Sequence, residues 1–241
     1  MPKIKDPPDW LWPPPNPAAL AIEDNNGNIL SRRYPVHRIF CVGRNYEAHA
    51  KEMSAEVDRD APFYFTKSPT AVCFDPKELP YPPGTQNFHH EVELVVALGD
   101  SGFQINPRDA LKIVFGYACG IDLTRRDLQN KAKADRKPWD LSKDFEGSAV
   151  LSAIKQLPGE DIPADAQIRL TVNTEIRQQA LIADMVWKVP ELIADLSRYY
   201  RLSPGDLIFT GTPAGVGTLE KGDQVSASIE GLGRLAFSVS D

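Results

Sequence analysis

Residues 87–99 read NFHHEVELVVALG. Val and Leu dominate the stretch, which is strand composition. A strand alternates its faces, so Val92, Leu94, Val96 and Leu98 share one side, and His89, Glu91, Glu93, Val95 and Ala97 share the other. The first side is uniformly apolar and faces a core. The second places two glutamates on a strand that otherwise reads as buried. Buried carboxylates repel each other and are costly unless a cation compensates them. Their Cα atoms are about 7 Å apart from the strand rise, close enough to converge on one ion. Oxygen-only ligation suits Mg2+ or Mn2+ better than Zn2+.

The rest of the chain bounds the answer. Its 241 residues allow one large domain or two small ones, and 42% hydrophobic with 25% charged residues is ordinary globular composition. A net charge of −6 gives nucleic acid no electrostatic grip. No apolar run reaches the ~18–20 residues that span a bilayer, and no hydrophobic leader opens the chain. Cys41, Cys73 and Cys119 are odd in number and far apart, so they suggest neither a disulfide framework nor a metal site. A cytoplasmic setting is expected.

Residues 1–35 form a Pro-rich N-terminal segment, expected to pack on the domain with Trp10 and Trp12 burying their rings. Within it, Asn26-Gly27 marks a hairpin turn between short strands. Residues 36–241 form the main domain. Strands are expected at 38–42, 62–69, 168–173 and 182–187, and helices at 122–136, capped by Thr124, and at 189–200. Residues 108–118 begin as helix and end as strand. Three alternating strands close the chain. Strands and helices are too irregularly spaced for a βαβ series. The fold class is therefore α+β, a mainly β mixed core with peripheral helices.

Several polar groups stand out. Asp122 ends an apolar run, where a helix cap and a third metal ligand are both open readings. It would fall on one helical stripe with Arg126 and Gln129, at i, i+4 and i+7. In GRNYEAHAKE (43–52), His49 and Glu52 share a helix face, which suits a general base and its orienting carboxylate, or merely a polar surface. DLIFTGTPAGVG (206–217) runs from strand into a Gly/Pro loop whose N–H groups and Thr212 could hold a carboxylate, or make a tight turn. Lys143 in LSKDF, taken alone, reads as solvated.

Six motifs then occur in order: GRNYxxHxxE at 43–52, FTKSPT at 65–70, HHExEL at 89–94, GIDLTRRDLQ at 120–129, PWDLSKDF at 138–145 and TGTPAGVG at 210–217. Together they resemble the fumarylacetoacetate hydrolase superfamily across residues 38–240, above all its short bacterial acylpyruvate hydrolases. The resemblance implies a mixed β-roll or β-sandwich core and a homodimer. It implies Mg2+ or Mn2+ on Glu91, Glu93 and Asp122, and a His49–Glu52 dyad on a lid helix. It also implies Lys143 as a catalytic residue and Arg44, Arg126, Gln129 and Thr212 around the substrate. Longer members carry a further aspartate ligand where this chain has Gly43-Arg44-Asn45, so three carboxylates are expected. Since those ligands are hard oxygens, His89 is expected beside the site rather than on the ion. Arg44, Arg125 and Lys67 are candidates for a distal carboxylate. The implied reaction is hydrolysis of a C–C bond in a small 2,4-dioxo acid such as fumarylpyruvate. Oxaloacetate decarboxylation is the rival chemistry, and a non-catalytic carboxylate-binding protein the rival class.

Overall fold

The computed structural model describes residues 11–12, 15–52 and 58–241. The strand Val92–Leu98 is buried along its whole length, so both faces of its sheet are covered. It lies between Val114–Asp122 and Asp206–Phe209, antiparallel to both. Outward on one side follow Ile154–Gln156, Ala19–Glu23 and Ile29–Pro35, and on the other Arg38–Gly43 and Phe63–Lys67. With the short strands Ala149–Leu151 and Val72–Phe74 they make a ten-stranded sheet. It is mixed, because Asp206–Phe209 runs parallel to Arg38–Gly43, and Ala19–Glu23 parallel to Ile154–Gln156.

Alternation along Val92–Leu98 divides the core in two. Val92, Leu94, Val96 and Leu98 pack toward a five-stranded sheet that contributes Ile168, Leu170, Val225 and Phe237. Val95 and Ala97 pack on the opposite face with Cys41, Ala118, Leu151 and Phe209. Among the described residues four α-helices flank the sheets: α1 (Glu47–Glu52), α2 (Arg126–Asp135), α3 (Asp140–Lys143) and α4 (Val189–Tyr199). Leu192, Ile193 and Leu196 seat α4 on the larger core. This is the expected α+β fold, a curled mixed β-roll with peripheral helices.

Four local expectations are corrected. The run 87–99 is two strands, Phe88–His90 and Val92–Leu98, which join different sheets at a bend on Glu91. Asp122 ends a strand and Thr124 begins another, so neither opens a helix; α2 starts at Arg126 without a side-chain cap. Strand tendency at 182–187 loses to a 3-10 turn, Ile182–Asp184, because Glu175–Leu181 already completes the hairpin with Gln167–Val172. Trp12 is 76% exposed instead of buried, and Trp10 lies outside the described residues. Within the N-terminal segment, Ala19–Glu23 and Ile29–Pro35 pair in the large sheet.

Gly116 shows how tightly the sheet is closed. A Cβ there would stand 2.1 Å from the Lys155 carbonyl oxygen and 3.2 Å from Gln156 Cα, both backbone atoms. Gly116→Ala should cost about 1–3 kcal/mol as an overpacking change. At roughly 2–4 °C per kcal/mol for a chain of this size, calorimetry should record a Tm several degrees lower. An unchanged Tm would contradict the close approach.

Candidate active site

The bend does not interrupt pairing. His89 stands opposite Thr124 and Val92 opposite Ile121, so the intervening Glu91 lies directly across from Asp122. The Asp122 N–H donates to the Glu91 carbonyl at 2.8 Å. Glu93, two residues on and on the same face, stands opposite Gly120. Carboxylate oxygens of Glu91, Glu93 and Asp122 all lie within 4.8 Å of one another, and all three residues are buried.

Three cations converge on them. Lys143, carried by the single turn of α3, donates to Glu91 at 2.9 Å and to Asp122 at 2.7 Å, and is only 2% exposed. Its solvated reading is therefore overturned. Lys67 lies 2.8 Å from the other Asp122 oxygen but off the hydrogen-bonding direction. It donates instead to the Lys143 carbonyl and, at 3.0 Å, to Ser148 Oγ. Arg126, at the start of α2, donates to Glu91 and to Gln129. Burial would raise the Glu91 carboxyl, but Lys143 and Arg126 outweigh it and hold Glu91 well below the usual range. Glu93 goes the other way. Burial, then Asp122 and Glu91, push it well up, and its hydrogen bond is from the Gly211 N–H at 2.7 Å.

A divalent cation fits this set on two observations. One Asp122 oxygen is buried without a hydrogen bond, and Glu93 is short of positive charge. Hard oxygen donors suit Mg2+ or Mn2+. Asn45 is spent on the fold, binding Trp187 and the Thr210 carbonyl, which leaves three carboxylates, as expected. His89 is outside the cluster: it faces Arg126 Nε at 3.3 Å and Asn87 at 2.7 Å.

Beside the cluster a cavity of about 180 Å3 is lined by His49, Arg44, Gln129, Lys133, Trp139 and Thr212, among others. His49 Nδ1 is 3.4 Å from Glu52, which also accepts from the Gly215 N–H at 3.1 Å. Burial lowers the His49 imidazole, against the pull of Glu91 and Glu52, so the neutral form prevails at neutral pH. The Gly/Pro loop spends its N–H groups on Glu93 and Glu52, which leaves those two donors engaged within the chain. Thr212 donates to the Val92 carbonyl and accepts from Gln178, both at 2.8 Å, so its proton is committed.

Two distal candidates fall away. Arg125 donates to the Leu141 carbonyl and stacks on Phe145 at 4.2 Å, and Lys67 serves the carboxylate cluster. Lys133, Trp139 and Gln178 escape sequence reasoning. Gln178 is fully buried on an otherwise exposed strand, where nothing in its neighbours signals it. Its oxygen accepts from the Val92 N–H and from His90 Nδ1, each at 3.0 Å, and its amide donates to Thr212 and the Pro213 carbonyl. It ties the bend at Glu91 to the loop that holds Glu93.

Comparison with known proteins agrees with this geometry. The fumarylacetoacetate (FAA) hydrolase C-terminal family model matches residues 38–240. A fumarylpyruvate hydrolase of Ralstonia is 43% identical over 78% of this chain and 98% of its own length. An oxaloacetate tautomerase of Escherichia coli is 40% identical over 82% of this chain and 90% of its own. The crystal structure of a Pseudomonas aeruginosa fumarylpyruvate hydrolase in complex with Mn2+ and pyruvate superimposes with a TM-score of 0.89 at 40% identity, covering 96% of this chain and 99% of that one.

Two predictions follow from the cluster itself. A raised carboxyl stabilises the fold fully below its unfolded value and loses that contribution as pH rises through the folded one. Glu93→Gln should therefore leave the metal-free protein at pH 7 at least as stable as wild type in thermal melts, while abolishing the Tm increase given by Mn2+. A large drop in the metal-free Tm would contradict the charge balance described. Gln178→Ala should weaken Mn2+ binding about 10–100-fold in titration calorimetry, the usual cost of losing a group that orients ligands. Wild-type affinity would show that the bend holds without it.

Proposed function

Since the chain belongs to the fumarylacetoacetate hydrolase family, we propose that it hydrolyses the C3–C4 bond of a 2,4-dioxo acid, fumarylpyruvate being the favoured substrate and fumarate and pyruvate the products. One juxtaposition carries the reading: a neutral, buried imidazole and a three-carboxylate cation site open onto the same cavity. Hydrolysis needs both, a base for water and counter-charge for a departing enolate.

His49 Nε2 takes the proton from a water that attacks the C4 carbonyl, while Glu52 at Nδ1 fixes the tautomer and supports the imidazolium. The C3–C4 electron pair leaves with the pyruvate half, whose C3 is then protonated. Mg2+ or Mn2+, when bound, supplies a Lewis acid for the 2-oxo-acid end and counter-charge for the enolate. Lys143 gives two of its three N–H groups to Glu91 and Asp122 and lines the cavity. Arg126 and Gln129, joined by their own hydrogen bond, line the cavity beside the carboxylates, where the 2-oxo-acid end would lie. A homodimer in the cytoplasm accompanies this reading.

Oxaloacetate chemistry is the competitor, supported by the name of the Escherichia coli relative. Enolisation or decarboxylation needs the same base or the same cation site, but no attacking water. The assay is loss of the dioxo-acid absorbance with fumarate and pyruvate identified as products. Oxaloacetate turnover with no cleavage of any acylpyruvate would overturn hydrolysis. Glu52→Gln should lower kcat about 10²–10⁴-fold, the range for general base catalysis, and leave Mn2+ affinity intact. Because His49 is lowered, the acid limb of kcat/KM should lie below the ordinary histidine value and vanish in His49→Asn. A limb above that value would reassign the base.

A further inference from the structure

We propose that Lys133, together with Arg44 and the Trp139 ring, forms a subsite for a second carboxylate at the far end of the acyl group, so that the enzyme selects dicarboxylic substrates. The proposal rests on the hydrolase reading and extends it to the half of the substrate that the carboxylate cluster does not touch.

Helix α2 supplies the frame. Arg126, Gln129 and Lys133 fall at i, i+3 and i+7, one stripe, and all three line the cavity. Arg126 is bound to Glu91 at the metal end. Lys133 stands about 10 Å farther along the helix axis. An extended 2,4-dioxo acid with a carboxylate at each end spans roughly 8 Å, given carbon–carbon bonds of about 1.5 Å. The stripe thus runs the length of such a molecule.

Lys131 and Lys137 both pair with Asp135, whereas among the described residues no acid pairs with Lys133 or Arg44. Lys133 is exposed as a residue, yet its ammonium lies in a positive neighbourhood. Burial first, then Arg126 and more weakly Arg44, lower it to about 8. It rests 5.1 Å from the Trp139 ring centre, and Arg44 rests 5.7 Å from that of Phe63, which packs edge-on to Trp139. Arg44 holds a left-handed backbone at φ 59°, a conformation costly for a non-glycine residue and concentrated at functional sites. Lys133, Arg44, Phe65, Trp139 and Lys143 also line an adjoining cavity of about 480 Å3, so the pocket continues outward from the cluster. Apolar walls with cations at the end suit a flat unsaturated chain bearing a terminal anion. In a chain of net charge −6 this local excess of positive charge would draw such an anion in.

The test compares fumarylpyruvate with crotonylpyruvate, in which a methyl replaces the terminal carboxylate, at fixed Mn2+. Wild type should prefer fumarylpyruvate in kcat/KM. Lys133→Gln should lose about 10–100-fold on fumarylpyruvate, the usual range for a hydrogen bond to a charged group, and change crotonylpyruvate less than about twofold. Lys133→Arg should restore most of the preference. Equal losses on both substrates, or no loss on either, would overturn the subsite while leaving hydrolysis standing. A wild-type protein that cleaves neither acylpyruvate would overturn the hydrolase reading and the subsite with it.

Discussion

Glu91 directly across from Asp122, in a ladder closed to water, is an unfavourable pair on which the rest of the site depends. Like charges opposite one another destabilise a sheet, and burial magnifies the effect. The chain's answer is Lys143 placed between them, with Lys67 behind. The short helix α3 carries Lys143. It buries Ser142 and Lys143 and turns the Lys143 ammonium inward, while its carbonyl receives Lys67. Buried ionic networks of this sort rarely improve on an apolar core of equal volume. Their retention here is explained by what they leave over, an Asp122 oxygen with no hydrogen bond and a Glu93 with little positive charge beside it.

The sheet explains why this arrangement sits where it does. Val92–Leu98 is apolar on both faces and belongs to two cores. Polar groups are tolerated only where it ends, and at Glu91 the ladder bends away to pair with Thr124–Arg125 and Gly217–Leu219. At the bend the Val92 N–H donates to Gln178, which reaches it from a third strand. Its contact with His90 also decides that ring's tautomer, since an amide oxygen can only accept and Nδ1 must carry the proton.

Much of this was legible in the sequence, for identifiable reasons. Period-two alternation placed Glu91 and Glu93 together, and i, i+3 spacing joined His49 to Glu52, because both arguments need only local geometry. Asp122 was placed in the right company by a faulty route. Helical spacing linked it to Arg126, whereas the two are separated by a strand end and the short strand Thr124–Arg125. Lys143, Lys67 and Gln178 were opaque or misassigned because their burial is decided by contacts 21 to 88 residues away along the chain. No local pattern carries that information. Thr212 and the glycine-rich loop were legible as binding elements in general, but their donors turn out to serve protein carboxylates.

That loop relates the two halves of the chemistry. Gly211 N–H holds Glu93, a ligand of the proposed cation, and Gly215 N–H holds Glu52, the partner of the proposed base. Both glycines have left-handed backbones, at φ 96° and 95°. Neither has room for a side chain: a Cβ on Gly211 would lie 2.7 Å from Asn45 Cβ, and one on Gly215 only 1.8 Å from the Arg177 carbonyl oxygen. The loop is therefore clamped at both ends, against the start of the Asn45 turn and against the strand that carries Gln178. Helix α1, described over Glu47–Glu52, carries both His49 and Glu52. Its Glu52 end is tied to this loop, which also positions Glu93. One clamped backbone segment thus reaches both the dyad, through Glu52, and the carboxylate cluster, through Glu93.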